Sequence, residues 1–438
     1  MRKRRIGFPV VLALLMVLMI GCSAGGNNTG NANGPSGKKV NLVFWIFENP
    51  PMVEQTKRLV EAFQQEYPHI TVDLQAFPNN QFTDKLTVAL GTKTGPDVFL
   101  ISDRTLPAMI AKGVLAPVVT ESFGFAGEEE MKAAWIEGSL DGLMNDGKIY
   151  SIPMEFNTFS LFVNKKAFAE AGLDPVKDAP KTWDELAEIA KKLTIRDAGG
   201  NLIRAGFAFP MFNGGWNVLA MDPMVKQLGG AFIEDFGTEA YFDSPEVKQV
   251  FQTWYDLYFT HRVTDIGFGT SSTAAPNQSF IDGQTAMWLS GPWAIPQITE
   301  GTAAYDNYAV VPLPQYNPDQ PVNMLYGWNW AVNGVTDHPA ESWQLVDYLS
   351  GRQEEWLQSS GYIQPRKGWM ESDIFRDFPF AEVWKSDMEH GRYVMRSEKY
   401  AQLADIVGRA VDAVMKSGTS IDEALAQAQA EAVRVLQE

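Results

Sequence analysis

Residues 41–101 alternate between apolar strand-like runs and amphipathic helical segments, and this alternation constrains the fold more than any other feature of the chain. The strand-like runs cover residues 41–47, 70–74 and 97–101, and the helical segments cover residues 53–67 and 82–90. Strands joined by single helices form a parallel sheet with right-handed crossovers. The ligand crevice of such a sheet lies outside the carboxyl ends of its strands. We therefore expect an α/β fold with a ligand site at that edge.

Polar side chains follow the predicted strands at this edge. Glu48 and Asn49 come after the first strand, and Ser102, Asp103 and Arg104 come after the third. A carboxylate can accept hydrogen bonds from two neighbouring sugar hydroxyls, and a pair of carboxylates can cleave a glycosidic bond. Acidic side chains also lie on most protein surfaces without any specific role. Sugar binding, simple solvation and glycosidase catalysis therefore remain open for these residues.

Aromatic residues concentrate near predicted loops and strand ends. Residues 280–293 end in a glycine turn flanked by Trp288 and Trp293, and alternation in residues 326–332 sends Trp328 and Trp330 to one face of a strand. Trp45, Phe156 and Trp216 add to the set. The apolar faces of pyranose rings stack on aromatic planes, which favours a sugar site. Core packing is the alternative for each of these residues, because Trp and Phe are usually buried.

Common catalytic motifs do not match. Residues 142–149 come within one residue of a phosphate-binding loop, but Ile149 stands where a hydroxyl must reach Mg²⁺. The four His residues are far apart in the chain, which argues against a zinc or haem site. We expect no cofactor and no metal. The enzymatic alternative is a polysaccharide-cleaving reaction that uses two of Glu48, Asp103 and Glu155.

The length and net charge of the chain limit the number of domains and the classes of binding partner that we expect. The chain has 438 residues and a net charge of −17, and removal of its basic first residues takes this to about −21. Such a charge disfavours binding to nucleic acid and to anionic lipid headgroups. The length is too great for one core, and we expect two lobes.

The amino terminus predicts export. Arg2 to Arg5 are basic, residues 6–21 are apolar but too short to span a bilayer, and Cys22 is the only cysteine. Residues 22–37 are small and polar, as in a flexible tether. Residues 18–22 resemble a bacterial lipoprotein signal, which implies that residues 1–21 are removed and that Cys22 is diacylated. An ordinary signal peptide with a chance thiol is the alternative.

Four stretches of the chain resemble one known family. They are residues 95–99, residues 147–186, residues 280–293 with the spacing F-x-x-G-x-x-A-M-x-x-x-G-P-W, and residues 307–332. The chain is similar here to the extracellular sugar-binding proteins of ABC importers, the group that includes maltose-binding protein.

That resemblance implies a type II periplasmic-binding-protein fold, with two lobes, each a sheet flanked by helices, joined by crossing hinge segments. The first lobe would hold residues 38–155 and 312–362, and the second would hold residues 156–311 and 363–438. The chain would cross between lobes near Glu155, near residues 310–314 and near residues 361–365.

The resemblance also implies a set of site residues. They are Trp45, Glu48, Asn49, Ser102, Asp103, Arg104, Glu155, Asn157, Asn213, Trp216, Trp288, Gly291, Trp293, Trp328, Asn329 and Trp330. We expect a monomer, held by its lipid on the outer face of the cytoplasmic membrane, that closes on a carbohydrate and passes it to a membrane permease. The same scaffold could bind an anion such as a glycerol phosphate, for which Arg104 and Arg366 are the basic candidates. A neutral sugar is favoured because aromatic and amide residues outnumber cations at these positions.

Overall fold

The computed structural model describes residues 39–137, 139–209, 214–266, 268, 274–299 and 307–438. The predicted signal and tether, with Cys22, and the predicted site residue Asn213 lie outside these ranges. The strands are β1 Val40–Phe47, β2 Ile70–Phe77, β3 Val98–Ser102, β4 Met144–Asn145, β5 Lys148–Ile149, β6 Ile152–Pro153, β7 Ser160–Asn164, β8 Ile195–Arg196, β9 Leu202–Arg204, β10 Met287–Ser290, β11 Tyr308–Val311, β12 Asn323–Leu325, β13 Trp328–Val332 and β14 Gly391–Tyr393.

The α-helices follow the same chain order. They are α1 Pro50–Glu66, α2 Asn79–Gly91, α3 Leu106–Ala111, α4 Glu128–Ala133, α5 Lys165–Glu170, α6 Trp183–Leu193, α7 Gly214–Gln227, α8 Pro245–Tyr255, α9 Ala274–Ile281, α10 Ala294–Thr299, α11 Pro339–Ser350, α12 Gln353–Ser360, α13 Asp373–Arg376, α14 Ala381–Glu389, α15 Tyr400–Met415 and α16 Ile421–Gln437. A π-helix, Asp256–Thr260, continues α8.

The strand and helix pattern predicted for residues 41–101 is confirmed, because β1, α1, β2, α2 and β3 occur in that order. Helix α1 begins where Asn49 caps its first turn and two prolines follow. Helix α6 begins at the predicted capping box, in which the side chains of Thr182 and Glu185 each accept a hydrogen bond from the other's backbone N–H. Local sequence signals therefore fix where both helices start.

Two sheets organise the described chain. The larger has the strand order β2-β1-β3-β13-β6, with β1 parallel to β2 and β3, and with β13 antiparallel to β3 and β6. The smaller has the order β10-β7-β11 and is antiparallel. The fold is thus mixed α/β with two sheet-and-helix lobes, as the sequence predicts.

Each sheet has its own hydrophobic core. The core of the larger sheet draws on residues 40–154 and 330–362, and the second core draws on residues 159–326 and 394–435. A smaller apolar cluster includes Phe162, Trp288 and Trp384. The half-buried Trp293 packs against all three clusters. Trp293 therefore lies where the two lobes meet.

The chain passes between the cores through three segments that hydrogen-bond to one another, which we call the crossing ribbon: residues 155–158, 325–327 and 362–365. Phe156 pairs with Ile363, and Asn157 pairs with Tyr326, both antiparallel. The N–H of Phe156 donates to Ile363 O at 2.7 Å. Gly327 permits this close packing, because a Cβ there would lie 2.3 Å from Glu155 O. The boundaries expected for the lobes stay a prediction, and the strand that rejoins the larger sheet begins at Trp328.

Candidate functional site

The crossing ribbon has a polar face. Side chains alternate along extended backbone, so Glu155 and Asn157 lie on the side opposite Phe156. The antiparallel pairing of Phe156 with Ile363 places Gln364 across from Glu155 and Tyr362 across from Asn157, while Tyr326 flanks Asn157 from the third segment. We call Glu155, Asn157, Tyr326, Tyr362 and Gln364 the polar face.

Several side-chain atoms of the polar face are buried without a hydrogen-bond partner among the described residues. Glu155, Asn157 and Gln364 are 2%, 1% and 0% exposed. Glu155 Oε2, Asn157 Oδ1 and both amide atoms of Gln364 have no partner there. Each unpaired buried group costs about 1 to 3 kcal/mol. Such a concentration is typical of a site that pairs these atoms with a ligand.

Asp103 and Arg104 adjoin the polar face. The backbone N–H of Asp103 donates to Gly327 O at 3.0 Å, which fixes the loop after β3 against the crossing ribbon. Arg104 Nε lies 3.8 Å from Asp103 Oδ1, and its Nη1 donates to the Tyr400 hydroxyl at 3.4 Å. Its guanidinium carbon lies 5.2 Å from the centre of the Tyr326 ring. Arg104 therefore connects the larger sheet to helix α15 of the second core.

Burial changes the protonation of both carboxyl groups. It raises the pKa of Glu155 to about 8, an effect that the charge of Asp103 reinforces and a hydrogen bond with Asn157 opposes. It raises the pKa of Asp103 to about 6, against the opposing charge of Arg104. At pH 7 Asp103 is therefore mostly ionised and Glu155 mostly protonated. Two carboxyl groups in different protonation states can bind hydroxyl groups, and the same pattern occurs in acid–base catalysis.

Aromatic rings border this polar region. The ring of Trp293 lies 5.9 Å from that of Tyr326 and 6.0 Å from that of Phe159. The ring of Trp216 stacks on Phe159 at 6.1 Å with an interplanar angle of 15°. Gly291 leaves the space that Trp293 fills, because a Cβ at Gly291 would lie 1.7 Å from Cζ3 of the Trp293 ring. Trp293 and Trp216 thus form an aromatic wall beside the polar face.

Two further predicted tryptophans lie at the larger sheet. Trp328 is half-buried, with its ring 4.5 Å from Phe47 at the end of β1. Trp45 is also half-buried and lies beside Phe77 at 4.8 Å, with Lys85 Nζ 5.2 Å from its ring. Both side chains are near the strand ends where the sequence predicts the crevice.

Trp288, Trp330 and Asn329 lie deeper. Trp288 packs among Phe162 and Phe280 in the small apolar cluster, and Trp330 packs on Trp356 in the core of the larger sheet. These positions favour core packing, which the sequence left open for each aromatic residue. The side chain of Asn329 is buried and donates to Ile101 O at 3.4 Å, while its Oδ1 has no partner in the described chain.

Four other predicted residues have local contacts. Asn49 accepts the helix-capping bond from Met52 N, and Ser102 Oγ bonds Thr105 Oγ1 at 2.9 Å. Glu48 is exposed. The guanidinium of Arg366 lies 4.5 Å from the Trp135 ring, and its Nη2 donates to Ser350 Oγ at 3.3 Å. None of these contacts joins them to the polar face, so their binding role stays a prediction.

The site residues expected from the sequence do not include Tyr326, Tyr362, Gln364 and Tyr400. Tyr326 directly precedes the predicted strand with the two tryptophans, and Gln364 lies in the segment expected near residues 361–365. The sequence shows where these residues lie along the chain. It does not show that they come together in space, because that depends on pairing between segments far apart in the chain.

One cavity borders the crossing ribbon, and a second lies elsewhere. The first, of about 720 Å³, is lined by Phe156, Leu325 and Ile363, which face away from the polar side. The second, of about 830 Å³, lies between α1, α12 and residues 374–379. Neither includes a residue of the polar face, which the contact between Arg104 and Tyr400 helps to enclose. The described residues contain no cluster of three potential metal ligands, and none of their helices is long and apolar enough to cross a bilayer.

The chain is similar to known proteins over most of its length. The family described as bacterial extracellular solute-binding protein matches residues 49–355. The maltotriose-binding protein of Pyrococcus abyssi is 21% identical, over 90% of this chain and 81% of that protein. The sn-glycerol-3-phosphate-binding periplasmic protein UgpB of Escherichia coli is 25% identical, over 78% of this chain and 77% of that protein.

A solved structure shares the fold. It is the solute-binding protein of an ABC transporter from Thermotoga lettingae, bound with α-D-tagatose, and it superposes with a TM-score of 0.79 at 23% identity, over 91% of this chain and 100% of that one.

Proposed function

Because the chain belongs to the bacterial extracellular solute-binding protein family, we propose that it is the lipid-anchored substrate-binding subunit of an ABC importer. It captures a carbohydrate, an oligosaccharide above all, between its two lobes. One similar protein is named as a maltotriose-binding protein, and the similar solved structure is described as bound with α-D-tagatose. The observation that carries the proposal is the buried polar face beside Trp293, since sugars need both fixed hydrogen-bonding groups and apolar ring contacts.

Hinge closure is the mechanism that the contacts support. Glu155 and Asp103 are buried, and Arg104 of one lobe bonds Tyr400 of the other. A sugar must therefore enter while the lobes are apart. A ligand that contacts both lobes binds the closed form better, and only this difference shifts the equilibrium towards closure.

Delivery completes the proposed role. Cys22 carries the lipid that holds the protein, as a monomer, on the outer face of the cytoplasmic membrane. Tethering raises its effective concentration near a permease, which accepts the closed and loaded form.

A neutral sugar fits the charges better than a glycerol phosphate does. Arg104 is already beside Asp103 and Tyr400, and Arg366 stacks on Trp135 in the core of the larger sheet. A phosphate would also face the carboxyl groups of Asp103 and Glu155. Because the chain is similar to UgpB, sn-glycerol 3-phosphate is included among the ligands to be tested.

Cleavage of a polysaccharide is the second candidate function, because Asp103 and Glu155 differ in protonation state as the two carboxyl groups of a glycosidase do. Its distinguishing result is a shortened product from the bound sugar, lost in Glu155→Gln.

Calorimetry tests the proposal with maltotriose, D-tagatose, other mono- and oligosaccharides, and sn-glycerol 3-phosphate. We expect saturable binding of at least one neutral sugar and weaker binding of the phosphate. The matched variants are Trp293→Ala beside the polar face and Trp384→Ala in the small apolar cluster. Only Trp293→Ala should weaken binding by more than its effect on folding explains. Failure of every sugar, with binding of a peptide or metal, contradicts the proposal.

A further inference from the structure

We propose that Glu155 meets the sugar as a neutral carboxyl group that donates its O–H to a ligand oxygen, so that the site selects uncharged saccharides. This inference rests on the proposed function and adds to it the chemical role of one residue and the charge class of the ligand. It assigns Glu155 as a hydrogen-bond donor, whereas an ionised carboxylate can only accept.

Among the residues that the structure describes, the groups that face Glu155 include no cation. Asn157 lies two residues along the same segment, Tyr362 and Gln364 come from the segment across from it, and Tyr326 comes from the third. Asp103, from the loop after β3, is the charged neighbour in the described part of the chain. Glu155 therefore faces two amides, two phenols and one carboxylate.

The guanidinium of Arg104 is paired with another carboxyl group. Arg104 lies 3.8 Å from Asp103 Oδ1 and spreads its remaining contacts over the Tyr400 hydroxyl and the Tyr326 ring. The charge of Arg396 also lowers the pKa of Asp103. Arg104 and Arg396 thus stabilise the charge on Asp103, and no described cation is paired with Glu155.

Burial then decides the state of Glu155. A carboxylate that is 2% exposed loses its hydration, and the single hydrogen bond with Asn157 compensates for this loss only in part, so protonation is the less costly outcome. The pKa of Glu155, raised to about 8, agrees with this geometry. Near neutral pH one proton is shared by the pair, and we place it on Glu155 because Asp103 has the cations.

A neutral Glu155 changes which ligands fit. It adds a donor beside the phenol groups of Tyr326 and Tyr362, while Gln364 and Asn157 can donate and accept. Hydroxyl, ring and glycosidic oxygens of a saccharide can accept these hydrogen bonds. A carboxylate or phosphate on the ligand would instead lie near the ionised Asp103. The site therefore favours sugars without negative groups.

A measurement without ligand tests directly whether Glu155 holds a proton. In the full chain labelled with ¹³C at glutamate carboxyl carbons, one NMR signal should titrate near pH 8 and vanish in Glu155→Gln. If every glutamate carboxyl is ionised by pH 6, the inference is wrong, whether or not any sugar binds. The wild-type titration gives this answer even if the variant does not fold.

A binding measurement tests the donor role. Calorimetry uses the tightest-binding neutral sugar of the panel above and the corresponding uronic acid, at pH 6.5 and pH 9. Wild-type affinity for the neutral sugar should fall as pH rises past about 8, by at most about tenfold per pH unit. The uronic acid should bind more weakly than the neutral sugar at both pH values.

Substitutions of Glu155 distinguish a hydrogen-bond donor from an ionised carboxylate that accepts. Glu155→Gln keeps a donor and removes the charge, so its affinity at pH 6.5 should stay within about threefold of wild type and lose its pH dependence. Glu155→Ala should weaken binding at both pH values. Glu188→Gln, at an exposed carboxyl paired with Lys191, is the control and should behave as wild type.

Loss of binding in Glu155→Gln equal to that in Glu155→Ala would show that an ionised acceptor is required. If no sugar in the panel binds while the NMR signal still titrates near pH 8, the proposed function fails and the protonation of Glu155 stands.

Discussion

Gly291→Ala should disturb the aromatic wall without changing any group that contacts a ligand by hydrogen bonds. The new Cβ would lie 1.7 Å from Cζ3 of the Trp293 ring, whereas ordinary contact begins at 3.4 Å. The ring edge must therefore move by about 1.7 Å. Tyr326 and Phe159 hold the other sides of the ring at 5.9 and 6.0 Å between centres, so the displacement reaches the polar face.

Two costs follow from this displacement. Overpacking of this kind lowers the free energy of unfolding by about 1 to 3 kcal/mol. A misplaced stacking ring loses about 1 to 2 kcal/mol of binding free energy, which is about a 5- to 30-fold rise in Kd. Calorimetric titration with the best sugar of the panel measures the second cost, and thermal unfolding measures the first.

Gly91→Ala is the matched control, because a Cβ at Gly91 meets no atom within 4 Å and the residue ends helix α2. It should leave sugar affinity unchanged and stabilise slightly, by about 0.4 to 1 kcal/mol. If Gly291→Ala binds sugar as tightly as wild type, Trp293 does not contact the ligand and the aromatic wall belongs to the core.

Three other changes have definite expected outcomes. Thr182→Ala removes the side chain that accepts from Glu185 N at 3.1 Å and should cost about 1 kcal/mol in thermal unfolding with unchanged sugar affinity; an unchanged midpoint contradicts the capping role. The buried carboxyl of Asp387 bonds Ser160 Oγ, and burial raises its pKa from 3.8 to about 7. The folded chain then holds a proton that the unfolded chain releases, so stability is full below pH 3.8 and falls as pH rises to about 7. Asp387→Asn should flatten this fall in urea titrations, and an unaltered pH profile would disprove the assignment. Deletion of residues 1–37 should leave sugar affinity intact and release the protein from membranes in cell fractionation, and a membrane-bound product would refute the lipid anchor.

The sequence predicts the order of elements well because the signals for them are local. The alternation in residues 41–101 specifies β1 to β3 and their helices, since each apolar run is bounded by turn or capping residues. The capping box of Thr182 and Glu185 acts within one turn, so its outcome does not depend on the rest of the fold. The capping role of Asn49 is also a local signal, because the two prolines that follow it indicate the start of a helix as well as the end of a strand.

The site was less predictable because it depends on pairing between distant segments. Glu155 and Asp103 were found from strand ends and turns, yet Gln364 and Tyr362 reach Glu155 only because Phe156 pairs with Ile363. Periodicity places Trp328 and Trp330 on one strand face, as expected. It does not reveal that α12 covers Trp330 with Trp356 while Trp328 stays half-buried at the strand end.

The most direct test of the account is mass spectrometry of the sugar recovered from the protein. The chain is incubated with the tightest-binding oligosaccharide of the panel, separated from free sugar, and denatured to release what it holds. We expect about one oligosaccharide per chain, with its mass unchanged after prolonged incubation. Shorter fragments, or no retained sugar, would contradict capture between two lobes without chemistry.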